Sequence, residues 1–71
     1  MAEQPHVVVH RPRGTGGRRV TVNEQIIGVA YTDRDLAEFL RQVGLDGEYL
    51  VDSDSPMIEW RGGNPHDYKA A

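Results

Sequence analysis

Cysteine does not occur in these 71 residues. Its absence excludes disulfide staples, thiol catalysis, Fe–S clusters and Cys-type zinc sites. Lysine is nearly missing as well, one against seven arginines, a compositional trait to which no functional weight attaches. No segment approaches the ~20 apolar residues of a membrane span. The start Met1-Ala2-Glu3-Gln4-Pro5 lacks the basic and apolar stretches of a signal peptide, so a soluble cytoplasmic protein with no membrane partner is the expectation. The formal net charge of −3 argues against a general affinity for nucleic acid or anionic lipid. Neither a Walker lysine nor a dinucleotide fingerprint is present, and no cofactor is expected.

Length sets a further bound. A domain this small buries only about 60% of the surface its unfolded chain exposes. Its core supplies roughly 3–5 kcal/mol, which small natural domains usually supplement with a disulfide, a metal or a second subunit. Here the first is closed.

What the chain does have is segregated charge. Arg11, Arg13, Arg18 and Arg19 fall in one stretch without an acid, whereas residues 33–59 carry eight carboxylates against Arg34 and Arg41. The stretch Arg-Pro-Arg-Gly-Thr-Gly-Gly-Arg-Arg disfavours both helix and ladder and reads as a mobile loop. Guanidinium forks beside flexible backbone amides suit phosphate, so these four arginines are the candidate anion or nucleic-acid contacts. The plainer reading, a hydrated hairpin connection, ranks ahead of it.

Around this loop the pattern predicts an α+β fold. His6–His10 holds three valines and reads as a strand ended by Pro12. Val20–Val22 and Ile26–Tyr31 read as a hairpin, with Gly28 marking a bulge or a close approach. Thr32, Asp33 and Asp35 are helix-start residues, Leu36, Phe39, Leu40 and Val43 form one apolar stripe, and Gly44 is a stop. A helix over about 33–43 follows. After the Asp46-Gly47 turn, Glu48–Val51 and Met57–Arg61 read as a second hairpin, with Ile58 and Trp60 facing the helix. The expected architecture is β-ββ-α-ββ, a small antiparallel sheet with one helix on one face. Residues 1–65 form the expected domain and 66–71 a flexible tail. The expected core is Val7, Val9, Val20, Val22, Ile27, Val29, Leu36, Phe39, Leu40, Val43, Leu45, Leu50, Ile58 and Trp60.

Reactive groups are thinly spread. Asp52-Ser53-Asp54 resembles the opening of a calcium loop but lacks the glycine at the sixth place and the glutamate at the twelfth. His6 and His10 would lie roughly 13 Å apart along a strand, too far to share one ion. Ser53 and Ser55 sit among aspartates, which oppose an alkoxide. No catalytic or metal residue is assigned, and an enzyme is not expected. A metal-dependent enzyme built on His66, Asp67, Asp52 and Asp54 is the remotest alternative. Trp60, Arg61 and Tyr68 are of the types that dominate interface hot spots and are the candidate partner contacts. The leading expectation is a non-catalytic interaction or regulatory module. It would bind a protein partner, either a second copy through a sheet edge or a larger chain. A nucleic-acid accessory role for Arg11, Arg13, Arg18 and Arg19 ranks second.

Overall fold

A computed structural model describes residues 6–70. Residues 1–5 of the expected domain and Ala71 of the expected tail lie outside the described residues. The elements run β1 (Val7–Pro12), β2 (Arg18–Val22), β3 (Gln25–Ala30), α1 (Asp33–Gln42), α2 (Gly47–Asp52) and β4 (Ile58–Trp60). The fold is α+β, with one four-stranded sheet in the order β3-β2-β1-β4. No helix among the described residues is long and apolar enough to cross a membrane.

Two hairpins build the first three strands. The arginine and glycine stretch is not the loop expected throughout: Arg11 and Pro12 end β1, Arg18 and Arg19 open β2, and only residues 13–17 connect them, closed by Arg13 N–H to the Gly17 carbonyl and Gly16 N–H to the Arg13 carbonyl. Between β2 and β3 the chain turns on Asn23 and Glu24, with φ of 50° and 71°. Two successive left-handed residues are what a two-residue hairpin needs to match the twist of its strands. The ladder β2–β3 slips by one residue between Val20 and Thr21, because Gly28 faces Val20 while Ile26 faces Thr21. The extra residue, Ile27, is a bulge. It reverses the alternation expected from a regular strand: Gly28 and Ala30 now face the helices, and Val29 pairs with Arg19 on the opposite face. Val29 therefore leaves the expected core, and Ala30 joins it fully buried. A side chain at Gly28 would stand 2.8 Å from Phe39 Cζ, so glycine is what lets α1 lie this close.

Helix α1 starts as its sequence predicts. The Thr32 hydroxyl accepts from Asp35 N–H at 3.1 Å and the Asp35 carboxylate accepts from Tyr31 N–H at 3.0 Å, filling free amide donors of the first turn. It ends with Leu45 N–H on the Leu40 carbonyl and Gly44 N–H on the Arg41 carbonyl, with Gly44 at φ 87°. This paired arrangement satisfies carbonyls the helix leaves open. Val43, expected in the core, becomes the C-cap and stays 40% exposed.

The second half differs from the expected hairpin. Glu48–Val51 lies in the short helix α2, and β4 runs parallel to β1, with Val7, Val8 and Val9 opposite Ile58, Glu59 and Trp60. The sheet is thus mixed. Leu50 and Val51 are both buried, which adjacent residues of a strand, pointing to opposite faces, achieve poorly and adjacent residues of a helix achieve readily. A parallel partner also requires a crossover in place of a tight turn. Gly47 permits the crossover to pack, since a Cβ there would overlap the Ala37 carbonyl of α1.

The core lies between one sheet face and the helices: Val7, Val9, Val20, Val22 and Ile58 against Leu36, Ala37, Leu40, Leu50 and Val51. Burying apolar surface contributes about 25 cal/mol per Å², and aliphatic side chains supply nearly all of it here. Ile27, Phe39, Leu45, Met57, Trp60 and Tyr68 pack partly buried at its border. Residues 66–70, expected as a loose tail, fold back on the domain: Gly17 N–H donates to the Tyr68 carbonyl at 2.9 Å.

Candidate interaction surfaces

Arg18 organises one end of the molecule. By strand alternation it points to the core side with Val20, and its side chain is fully buried. Nε donates to the His10 carbonyl at 2.7 Å, Nη1 to Asn64 at 2.8 Å and Asp67 at 3.0 Å, and Nη2 to Arg61 at 2.7 Å and Val9 at 3.4 Å. A guanidinium has five N–H donors, and each finds a backbone carbonyl. The cation also lies 5.3 Å from the Trp60 ring centroid. A π face and five carbonyl dipoles replace a carboxylate counter-ion. Burial lowers the Arg18 pKa from its usual value, with Tyr68 and Asp67 opposing. Arginine nonetheless remains protonated.

The expected quartet of anion contacts therefore divides. Arg18 is committed inside the fold and has no donor left for a phosphate. Arg11, Arg13 and Arg19 are exposed, and among the described residues none has a carboxylate within ion-pair distance. Arg11 lies against Gly62, where a Cβ would meet its side chain at 2.8 Å.

The expected partner contacts divide too. Trp60 lies 5.0 Å from His66 with the rings tilted at 47° and meets Tyr68 edge-on at 6.1 Å. The Tyr68 hydroxyl donates to Asp33 Oδ1 at 2.7 Å, and burial, reinforced by this carboxylate, pushes its pKa well above the ordinary tyrosine range. Both rings are engaged within the chain. Arg61 is exposed and paired with Glu59, which His6 also contacts at 2.9 Å; the Arg61 hydrogen bond, aided by His6, holds the Glu59 carboxyl below its usual range.

His66 forms the second node. Nδ1 meets Asp33 Oδ2 at 2.7 Å and Nε2 meets Asp54 Oδ1. Carboxylates accept and do not donate, so a ring held at both nitrogens by carboxylates must carry both protons. The hydrogen bond to Asp54 accordingly raises the His66 pKa, with Asp33 adding to it and burial opposing. His66 and Asp54 both occupy the left-handed region, at φ 65° and 51°, which these residue types tolerate better than most. The remote catalytic set is not assembled as expected: Asp33, read in the sequence only as a helix-start acid, stands where Asp67 was expected, and the Asp67 side chain accepts from Lys69 N–H instead. No group of three or more His, Asp or Glu among the described residues is arranged to hold a metal ion.

Two surfaces remain. One is the sheet face turned away from the helices, where Val8, His10, Arg19 and Thr21 project; Val8 and Thr21 are buried among their neighbours and Arg19 is exposed. His10 bonds Thr21 Oγ1 at 3.0 Å, and its pKa is lowered by burial first and by Arg61 and Arg19 next. The other is the outer edge of β3. It is terminal in the sheet, and among the described residues no other backbone bonds to it. The strand, Gln-Ile-Ile-Gly-Val-Ala, carries no charge. Ile26 is 64% exposed and Tyr31, just past its end, 56%. A recess of about 200 Å³ lined by Val22, Gln25, Ile27, Val43 and Leu45 borders it on the helix side.

These features define a small two-layer α+β domain with one bare strand edge and one basic sheet face. Compared with protein-family models, curated proteins and solved structures, the chain matches none of them.

Proposed function

We propose that this protein is a non-catalytic interaction module that docks another polypeptide along the outer edge of β3. The supporting observation is that edge itself: six uncharged residues with an unpaired backbone row. Sheet proteins usually protect such an edge with lysine, proline, a bulge, a very short strand or a covering loop, and of these β3 carries only the bulge at Ile27 among the described residues. The opposite edge strand, β4, is three residues long and bears Glu59, as that protection requires. An added strand would bond to the β3 backbone and place alternate side chains over the recess beside Ile27 and Val43. The test is affinity capture from the native cell with wild-type and Ile26→Lys baits. Proteins retained by the first and lost by the second are expected; identical recoveries sink the reading.

A second reading draws on a separate observation, the exposed and unpaired Arg11, Arg13 and Arg19 beside the open sheet face. At physiological salt the Debye length is about 8 Å, so the acidic residues of the helical layer do not cancel a basic patch on the far side. The chemistry is phosphate contact without base selection. Anisotropy titrations of labelled DNA and RNA should then show affinity falling steeply with salt and vanishing on replacing the three arginines by alanine. A flat titration at low salt removes this role.

A further inference from the structure

We infer that His66 is a proton-operated clasp: its doubly protonated ring ties the turn 64–67 to the start of α1 and to the α2–β4 turn and covers Trp60, and loss of one ring proton opens it.

Three elements converge on this one ring. Asp33, from the first turn of α1, meets Nδ1; Asp54, from the α2–β4 turn, meets Nε2; and the half-buried Trp60 ring of β4 lies 5.0 Å away. An imidazolium donates to both carboxylates at once. The neutral ring keeps a single N–H, so one carboxylate then faces a nitrogen lone pair, acceptor against acceptor. Asp33 also receives the Tyr68 hydroxyl, whereas the Asp54 side chain is 68% exposed and has no second partner among the described residues. The Asp54 side is therefore the one that lets go.

Backbone geometry on both sides of that contact favours release. His66 and Asp54 sit at φ 65° and 51°, and non-glycine residues stay in that region only where their surroundings over-determine it. The contact between the two supplies such a constraint, and breaking it frees both turns from it. A recess of about 360 Å³ beside Tyr31, Thr32 and Lys69 has room for the departing ring.

Permanent contacts bound the motion. The Arg18 guanidinium stays charged and keeps the carbonyls of Arg61, Asn64 and Asp67, while Gly17 N–H keeps that of Tyr68. The returning chain thus remains attached while the His66 ring and the Asp54 turn move. Of the groups around the ring, Asp33, Asp54 and Asp67 ionise below the histidine range, Arg18 and Lys69 lose their charge above it, and burial beside Asp33 pushes Tyr68 well above the ordinary tyrosine range. His6 and His10 are engaged elsewhere, on Glu59 and Thr21. His66 is thus the group that works the clasp. Its raised pKa fixes the sense: closed below about pH 6.5 and opening as pH rises through the folded value. Trp60, of a residue type suited to partner contact, is covered in the closed state and bare in the open one.

The purified full-length chain provides the test, because Trp60 is its only tryptophan and reports on the adjacent imidazole. Acrylamide quenching of Trp60 fluorescence should rise in one step as the pH is raised from about 5.5, its midpoint coinciding with the His66 ring titration followed by NMR, while far-ultraviolet circular dichroism stays unchanged. His66→Gln, with no charge and no donor on a second atom, should hold quenching at the alkaline level throughout. Asp54→Asn should lower the midpoint by about half a pH unit, the scale of an exposed ion pair. His10→Gln should leave the step in place. Quenching that stays level while His66 titrates, a step that persists in His66→Gln, or a midpoint indifferent to Asp54→Asn overturns the inference.

Discussion

The two flanks of the sheet are built on opposite plans. On the β1–β4 side, Arg18, Trp60, His66, Tyr68 and Asp33 tie the returning chain down through hydrogen bonds and ring contacts. Among the described residues, the outer edge of β3 has no such network, only uncharged side chains and backbone groups bonded to no other strand. Polar satisfaction closes one flank, and apolar exposure leaves the other open. The proposed docking of another polypeptide draws on that contrast.

The largest test of that contrast lies in the locked flank. Arg18→Met preserves apolar bulk but removes the Arg18 donor from the His10, Arg61 and Asp67 carbonyls, each costing about 1–3 kcal/mol if left buried and unpaired, while the Val9 and Asn64 carbonyls keep Arg61 N–H and Asp67 N–H. Such losses reach the roughly 3–5 kcal/mol a core of this size supplies. The variant should be unfolded by circular dichroism at 25 °C; a cooperative melt near the wild-type temperature would contradict the account. Gly28→Ala, on the bare flank, should cost less, about 1 kcal/mol in urea denaturation, within the range seen for overpacking. Its Cβ meets the Phe39 ring, which is only partly buried and can yield.

Acidity should act on the two histidines of the locked flank in opposite senses. His66 has a raised pKa in the fold, so its contribution is complete below the unfolded value near 6.5 and is lost as pH rises through the folded value. His10, with a lowered pKa, contributes fully above 6.5 and loses its share as pH falls towards its folded value. The urea midpoint should therefore decline on both sides of about pH 6.5. His66→Gln should abolish the alkaline decline selectively, and His10→Gln the acid one. Ring-nitrogen NMR at pH 6.5 should show both His66 nitrogens protonated. The smallest effect concerns the turn that presents β3: Glu24→Gly relieves a left-handed non-glycine residue at φ 71° and should raise stability by less than about 1 kcal/mol.

Local signals carried well where the cause was local. Thr32, Asp35 and Gly44 bounded α1 because capping depends on residues within one turn. Valine alternation located β1 and β2, and Gly28 marked both a bulge and a close approach. The stretch Glu48–Val51 misled because four residues cannot distinguish a helical from a strand period. Arg18 misled more instructively. Among four neighbouring arginines nothing in the sequence separates the buried one, since its partners are carbonyls of residues 9, 10, 61, 64 and 67. Backbone carbonyls have no residue-type signature. Asp33 was legible as a helix-start acid but not as the shared acceptor of His66 and Tyr68.

Composition and periodicity alone determined that this is one small α+β unit without thiol chemistry, with its helix, first three strands and charge asymmetry in place. Those properties follow from nearest-neighbour sterics, capping and alternation. Tertiary structure decided the rest: that β4 pairs parallel with β1, that Arg18 turns inward while Arg11, Arg13 and Arg19 stay in water, that His66 is held between two aspartates, and that β3 pairs on one side only and lies at the sheet edge. Each of these depends on which distant backbone groups meet. Contacts across 30 to 50 residues are fixed by chain closure and shared burial, which no local pattern encodes.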